Sequence, residues 1–483
     1  MLKQLKEKDY KNILFRFEQI CGIPHGSYDT SKLADFLIEF AKERGLVNYR
    51  DEAGNVIIKK PAAKGYENVP AVILQGHMDM VCEKDSNASI DFTNDGLQLQ
   101  TDGEWLFANG TTLGGDDGIA LAYMLALLED AEAKHPALEC VITTEEEVGM
   151  DGALALDCTV LSAKRMINLD SEEDDCVLCG CAGGTRVRSC LPLRWQQISG
   201  TAVKISVSGL LGGHSGTEID KNRTNATLLL GKILFMLSSR KEFFLSDLYG
   251  GNKDNAIPRE ATAEIVVLPE QADSVISELE KIADTLKKTL STTEPTLTVT
   301  ISSESTGECA VLHPMCSERI LFLLVQTPNG VQNMSGDIEG LVETSLNLGI
   351  FEVTQSEAVF DYSLRSNKAS ELKYLQERLV YLHEFLGCET ETTEGYPGWE
   401  YRKNSELRDL FCEKYERMYQ RQPIVSVIHA GVECGIFCEK IPDLDVISIG
   451  PRICDIHTPK ERLSIPSAIQ TYRLLEQMLA DLK

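Results

Sequence analysis

"AVILQGHMDM", residues 71–80, begins as an apolar run and ends in His77-Met78-Asp79. Four consecutive apolar residues, Ala71 to Leu74, predict a short, fully buried strand. Such a strand has no packing use for an imidazole and a carboxylate one residue apart. Their position at its carboxyl end is therefore the first sign of chemistry in the chain.

The same transition recurs. "CVITTEEEVG" is a strand followed by Glu145, Glu146 and Glu147, and "RMINLD" is a strand ending at Asp170. "VISIGPRICDIH" runs from a strand through a loop to His457, and "TTLGGDDG" carries Asp116 and Asp117 in a glycine-rich loop at the entry to the apolar helix "GIALAYMLALLEDA". With "VIIKK" as a further strand, helices and strands alternate up to about residue 186, which predicts an α/β sheet with helices on its faces. Ligands gather at the carboxyl ends of strands in open α/β sheets. These elements can therefore aim His77, Asp116, Glu147, Asp170 and His457 at one crevice. Two histidines and three carboxylates form a nitrogen/oxygen set that suits zinc, or alternatively cobalt or manganese. A single catalytic zinc normally takes three protein ligands plus water, so five ligands fit two ions if one carboxylate bridges. Each piece also has an ordinary reading: Asp116-Asp117 as a helix cap, the acidic triplet and "DSEEDD" as solvated turns, His457 as a loop histidine.

At 483 residues the chain is too long for one core, so two or more domains are expected. A formal net charge of −27 argues against nucleic acid or an anionic membrane as a bulk partner and favours attraction of cations. No run of 18 or more apolar residues is present, so no membrane span is expected. The start, "MLKQLKEKDYKNILFRFEQI", reads as a charged amphipathic helix, without the apolar core or cleavage site of a signal peptide. Fifteen cysteines, an odd number, in a long chain of this kind point to reduced thiols in a cytosol. Cys176, Cys179 and Cys181 have the spacing of half a zinc ribbon, but no second pair stands at the required distance, so they read as buried or incidental thiols.

From about residue 200 the texture changes. "AVKISVSG", "EATAEIVVL", "TLTVTIS", "LNLGIFEVTQ" and "EAVFDYSLRS" read as strands. They are interleaved with the helices "QADSVISELEKIADTLKKTL", "SERILFLLVQ" and "ASELKYLQERLVYLHEFL". This order suits a smaller α+β layer inserted into the first domain. "TTEGYPGWE" marks a boundary, after which the helix "SELRDLFCEKYERMYQ", the strand "DVISIG" and a terminal helix complete the first domain. The expected division is 1–186 and 398–483 for the α/β domain, with 187–397 as the insertion.

"GHMD", "GGDDG", "TTEEEVG", "INLD" and "DIHTPKE", in this order, resemble the zinc-dependent aminoacylase/carboxypeptidase-type metallopeptidases over essentially the whole chain. Within that family "NKDNAIPRE", "HAGVECGIF" and "SGLLGGHSG" are most similar to aminoacyl-histidine dipeptidases, which cleave Xaa-His (carnosine-like) dipeptides. The resemblance implies a catalytic domain with a central mixed sheet flanked by helices, plus an inserted α+β lid domain that pairs in a homodimer. It implies two zinc ions per subunit, one on His77 and Asp170, the other on Glu147 and His457, with Asp116 bridging. It further implies Asp79 as the carboxylate that orients His77, and Glu146 as general base toward a metal-bridged water. His214 would stabilise the oxyanion in the partner's site, and Asn255, Arg365 and Gly431 would recognise the substrate. A cis peptide between Asp116 and Asp117 belongs to the same pattern. Glu145 has no matching role and reads as solvated. His429 and Glu433 share the "HAGVECG" segment without an assigned role.

Two other readings compete. A related amide hydrolase, such as an N-acyl-amino-acid deacylase or a broader aminopeptidase, would share the metals and differ in the lid. A non-catalytic metal-binding scaffold would keep the ligands but has no need of Glu146 beside Glu147.

Overall fold

The computed structural model describes residues 13–393 and 395–483. The expected amphipathic helix at the start lies mostly outside these residues; within them, Phe15–Cys21 is helical and buries Phe17, Ile20 and Cys21. The chain divides into two compact units. One comprises the described residues up to Cys181 with Trp399–Val427 and Val432–Lys483; the other comprises Ala182–Gly398 and Ile428–Gly431.

The switch between units falls at Cys181/Ala182, a few residues before the expected 186/187. The reason is that Gly183–Pro192 forms a strand antiparallel to Glu357–Ser366 in the second sheet. Ile428–Gly431 also joins the second unit, because the Ala182 N–H donates to the carbonyls of Ile428 and Ala430 at 3.0 and 3.1 Å.

The first unit is built on an eight-stranded mixed sheet. Its strands are β1 (Val47–Arg50), β2 (Val56–Lys60), β3 (Val72–His77), β4 (Leu138–Thr143), β5 (Arg165–Asn168), β6 (Cys176–Cys181), β7 (Ile424–Ile428) and β8 (Asp445–Ser448), in the order β1-β2-β4-β3-β5-β8-β6-β7. The four central strands β4, β3, β5 and β8 run parallel. β1, β2 and β6 are antiparallel to their neighbours. Parallel strands are covered on both faces, which is why β3 and β4 are buried at every position. The helix α1 (Gly115–Glu129) packs against β3 and is apolar nearly all round, so its Ile119, Leu121, Met124, Leu125 and Leu128 are all buried in one continuous core. The terminal helix, Ile465–Asp481, adds Ala468, Leu475, Met478 and Leu479 to that core. β6, "CVLCGC", is a strand whose three cysteines are buried free thiols, in keeping with their reading as packing residues.

The second unit carries a nine-stranded sheet whose resolved pairings are all antiparallel. Trp195–Ser208 and Thr298–Leu312 extend well beyond the expected strand segments, and Phe244–Gly250 adds a strand the sequence did not announce. The helices Ala226–Ser238, Ala272–Thr289, Pro314–Gln326 and Ala369–Phe385 bury their apolar stripes in a core of their own. A short pairing of Gly213–His214 with Ala256–Ile257 stands apart from the main sheet. Among the described residues no helix is long and apolar enough to cross a membrane.

Candidate metal centre

The order of the four parallel strands brings their carboxyl ends side by side. β3 ends in His77, β4 leads to Glu145–Glu147, β5 leads to Asp170, and β8 leads through a loop to His457. Asp116 enters from the first turn of α1. His77, Asp116 and Asp170 present ligand atoms within 4.8 Å of one another, and so do Asp116, Glu147 and His457. Asp116 is common to both groups and divides its carboxylate: Oδ1 lies 3.0 Å from His77 Nε2, and Oδ2 lies 3.2 Å from His457 Nε2. Asp170 Oδ1 is 3.5 Å from His77 Nε2, and Glu147 Oε1 is 2.9 Å from His457 Nε2. Glu146 groups with His77 and Glu147.

Neighbouring residues fix these side chains. The His77 Nδ1–H points to the Asp79 carbonyl at 2.9 Å, closer than the Asp79 carboxylate at 3.5 Å, and this leaves Nε2 facing the cluster. The Asp79 carboxylate accepts the backbone N–H groups of Glu146 and Glu147 at 3.0 and 3.3 Å and the Ser27 hydroxyl at 2.9 Å. It therefore holds the Glu146–Glu147 loop as well as flanking the imidazole. Gly76 is required by close approach: a Cβ there would meet Asp117 Oδ2 at 2.3 Å and the Ala120 Cβ at 2.8 Å. That Asp117 oxygen accepts the His77 N–H at 3.2 Å, and the Asp116–Asp117 peptide is cis.

Glu461, four residues after His457 in "DIHTPKE", accepts the N–H groups of Leu113 and Gly115 at 2.7 Å each, with those of Gly114 and Asp116 at 3.2 and 3.4 Å. It clamps the turn that presents Asp116. Glu145, expected to be solvated, is half-buried, and its carboxylate also accepts the Tyr28 N–H at 2.8 and 3.0 Å and the Thr144 hydroxyl at 3.2 Å. Glu145 and His457 both adopt left-handed backbone, φ 57° and 58°, which non-glycine residues hold only where surroundings enforce it.

The electrostatics are those of carboxylates crowded around two imidazoles. Burial opposes a charged His77, yet Asp170, Asp116 and Asp79 outweigh it and hold the ring well above the usual histidine range. Hydrogen bonds to Asp116 and Glu147 lift His457 to about 10. Burial pushes Asp170 up to about 6 and also raises Glu146, with His77 opposing both. Glu147 Oε1 is buried and, despite its contact with His457, has no partner in hydrogen-bonding alignment among the described residues. Two imidazoles and three carboxylates that converge on shared points, one oxygen left unaligned, fit divalent cations of the zinc class.

The second unit has its own group. His214 lies in a turn with positive φ at Gly212 and Gly213, and its Nδ1 accepts the N–H groups of Gly216 and Thr217 at 3.2 and 3.1 Å. The ring proton therefore sits on Nε2. The Asn255 carbonyl accepts the Ser215 N–H at 2.8 Å, which brings Asn255 beside this turn. Arg365 is buried near the end of its strand; Nη1 donates to the Tyr396 hydroxyl at 2.7 Å, while Nε has no partner among the described residues. Gly431 is small because of Tyr396, whose ring a Cβ would meet at 2.4 Å. His429 Nε2 contacts the Ser345 hydroxyl at 2.7 Å, and burial, with the nearby Arg365 charge, pushes its pKa down to about 4. Ser27, Tyr396 and Glu461 were not singled out by sequence reasoning. Only Glu461 carried a signal, its place in the "DIHTPKE" motif.

Residues 73–481 match the family model described as peptidase family M20/M25/M40. The chain is 39% identical over 468 residues to the cytosol non-specific dipeptidase of Escherichia coli (strain K12), covering 96% of each chain. Its structure is similar to that of aminoacylhistidine dipeptidase from Vibrio alginolyticus, with a TM-score of 0.93, 35% identity and 99% of each chain covered. The fold is shared with an aminopeptidase from Bacillus cereus ATCC 10987, with a TM-score of 0.55 and 14% identity over 98% of each chain.

Proposed function

Because the chain belongs to peptidase family M20/M25/M40, hydrolases acting on peptide bonds, we propose that it works as a cytosolic dizinc dipeptidase favouring Xaa-His substrates. The observation that carries this reading is the divided Asp116 carboxylate, one oxygen near each of two histidines that belong to separate ligand groups. His77 and Asp170 would hold one ion, Glu147 and His457 the other, with Asp116 between them; cobalt or manganese are the natural substitutes. Such ions supply Lewis acidity toward a carbonyl and acidify water.

Glu146 accepts the proton of the water that attacks the scissile carbonyl and hands it to the leaving amine. Its adjacency to Glu147 and its place near His77 support that role. Asp79 keeps this loop in register through the Glu146 and Glu147 amides. A dipeptide has a free carboxylate. The Arg365 guanidinium grips it, aligned by Tyr396, with Asn255 and the close backbone at Gly431 completing recognition. His214, its proton held on Nε2, donates to the oxyanion. The second unit serves as lid and dimerisation domain of a homodimer, and His214 acts in the partner's site.

The dipeptide specificity draws on the E. coli and V. alginolyticus relatives, whose names differ in the breadth of substrate they state. A panel of carnosine-like dipeptides, other dipeptides, tripeptides and N-acetyl amino acids, assayed with zinc-loaded protein, tests the reading. Dipeptides should be cleaved, with Xaa-His fastest. Equal rates on all dipeptides would overturn the Xaa-His preference. Preferential release of acetate would establish a deacylase, and no hydrolysis of any substrate would leave a metal-binding scaffold.

A further inference from the structure

We propose that Glu433 is a positioning residue that sets the carboxyl ends of β3, β4 and β5 for the metal ligands; this rests on the metal-centre reading above. Glu433, in the "HAGVECG" segment, is fully buried. Its Oε2 accepts Gln75 Nε2 at 2.5 Å and the Thr143 hydroxyl at 2.7 Å. Gln75 lies on β3, two residues before His77, and Thr143 ends β4, immediately before the segment that carries Glu145–Glu147. Gln75 Oε1 in turn accepts Asn168 Nδ2 at 2.6 Å, and Asn168 ends β5, two residues before Asp170.

One carboxylate therefore anchors a line of side-chain hydrogen bonds that crosses three adjacent strands. Each of those strands delivers a member of the ligand set beyond the contact: two residues on for His77 and Asp170, four for Glu147. Backbone pairing alone already sets the strand register, with Gln75 opposite Asn168 and His77 opposite Thr143. The side-chain line adds a restraint on how far each strand end can splay from its neighbours. A buried carboxylate is costly unless its interactions repay it. Glu433 makes these bonds through one oxygen only, and among the described residues its buried Oε1 has no partner. A residue that merely satisfied the core would be better replaced by an apolar one. Glu433 bonds to none of the five ligands directly and acts on them through the ends of the strands that carry them.

The test uses full-length protein stripped of metal and titrated with cobalt, read by equilibrium dialysis and by visible absorption, with near-ultraviolet circular dichroism and Tm recorded alongside. Glu433→Ala should lower cobalt affinity measurably, by less than the ~10–100-fold that loss of a direct partner of a ligand costs, with the circular dichroism unchanged. At saturating metal, kcat should fall while KM stays close to wild type, because the substrate contacts are elsewhere. Glu433→Gln keeps an acceptor oxygen for Gln75 and Thr143 and should recover most of the affinity. Should Glu433→Ala not fold, Gln75→Met cuts the same line at its middle and carries the same expectation. A variant with lowered Tm but wild-type cobalt affinity would overturn the proposal in favour of a purely structural role, and Glu433→Gln as impaired as Glu433→Ala would overturn the hydrogen-bonding role. Wild-type protein that takes up no cobalt would instead refute the metal-centre reading itself.

Discussion

Replacing Glu461 by glutamine exchanges one oxygen for an NH2 group, and the structure predicts a large effect. Glu461 is 3% exposed, so water does not substitute for lost contacts. Its two oxygens serve two pairs of N–H donors, Leu113 with Gly114 and Gly115 with Asp116, and each pair contains one bond of 2.7 Å. Glutamine keeps a single acceptor oxygen. Whichever way its amide is turned, NH2 faces one pair, donor against donor. Burial raises Glu461 to about 7, so it is ionised at pH 8; there the loss is at least one short charge-assisted bond, about 1.5–3 kcal/mol, and one stranded buried donor, about 1–3 kcal/mol, roughly 2.5–6 kcal/mol in all. Urea unfolding of the metal-free protein, followed through the transition of the first unit, measures it. Because Asp116 follows directly on the clamped turn, cobalt affinity should fall as well. A Glu461→Gln protein within about 0.5 kcal/mol of wild type, the range of an ordinary surface change, would refute the reasoning that this carboxylate holds the turn.

Glu146→Gln should retain metal and lose at least about a hundredfold in kcat, the usual size of general acid–base catalysis; Glu147→Gln should instead lose metal affinity, and metal content beside turnover distinguishes the two. Mixing inactive His214→Ala and Glu146→Gln proteins under conditions that exchange subunits should restore activity, since half the hybrid's sites then combine an intact Glu146 with the partner's His214; no recovery despite confirmed exchange would refute action in trans. In the second unit, burial pushes His383 from 6.5 down to about 4 while it contacts the Ser189 hydroxyl at 2.7 Å. The unfolded chain therefore binds a proton that the folded one refuses. The resulting stability is full above pH ~6.5 and is lost as pH falls toward ~4, at ~1.4 kcal/mol per unit and ~3 kcal/mol in total. Urea midpoints between pH 7 and 4 should show a shallower acid slope in His383→Asn, and an unchanged slope would count against this cause.

Apolar runs and their punctuation are local properties, and they were enough to read β3 from Val72 onward, α1 from "GIALAYMLALL" and the terminal helix. The motifs at strand ends also marked His77, Asp116, Glu147, Asp170 and His457 as candidates, because a polar residue after a buried strand has no packing reason to be there. Sheet order is a different matter. That β4, β3, β5 and β8 lie side by side and parallel follows from how whole elements bury their faces, and no local pattern states it. The partners of buried polar groups depend on that order. Glu461 meets the Leu113–Asp116 turn, Glu145 meets Tyr28, Tyr396 fills the space beside Gly431, and Glu433 reaches Gln75 and Thr143. Each pairing joins residues distant in sequence. The chain alone names the donor and acceptor types; only through-space proximity, fixed by the packing of the strands and helices that carry them, decides which donor meets which acceptor.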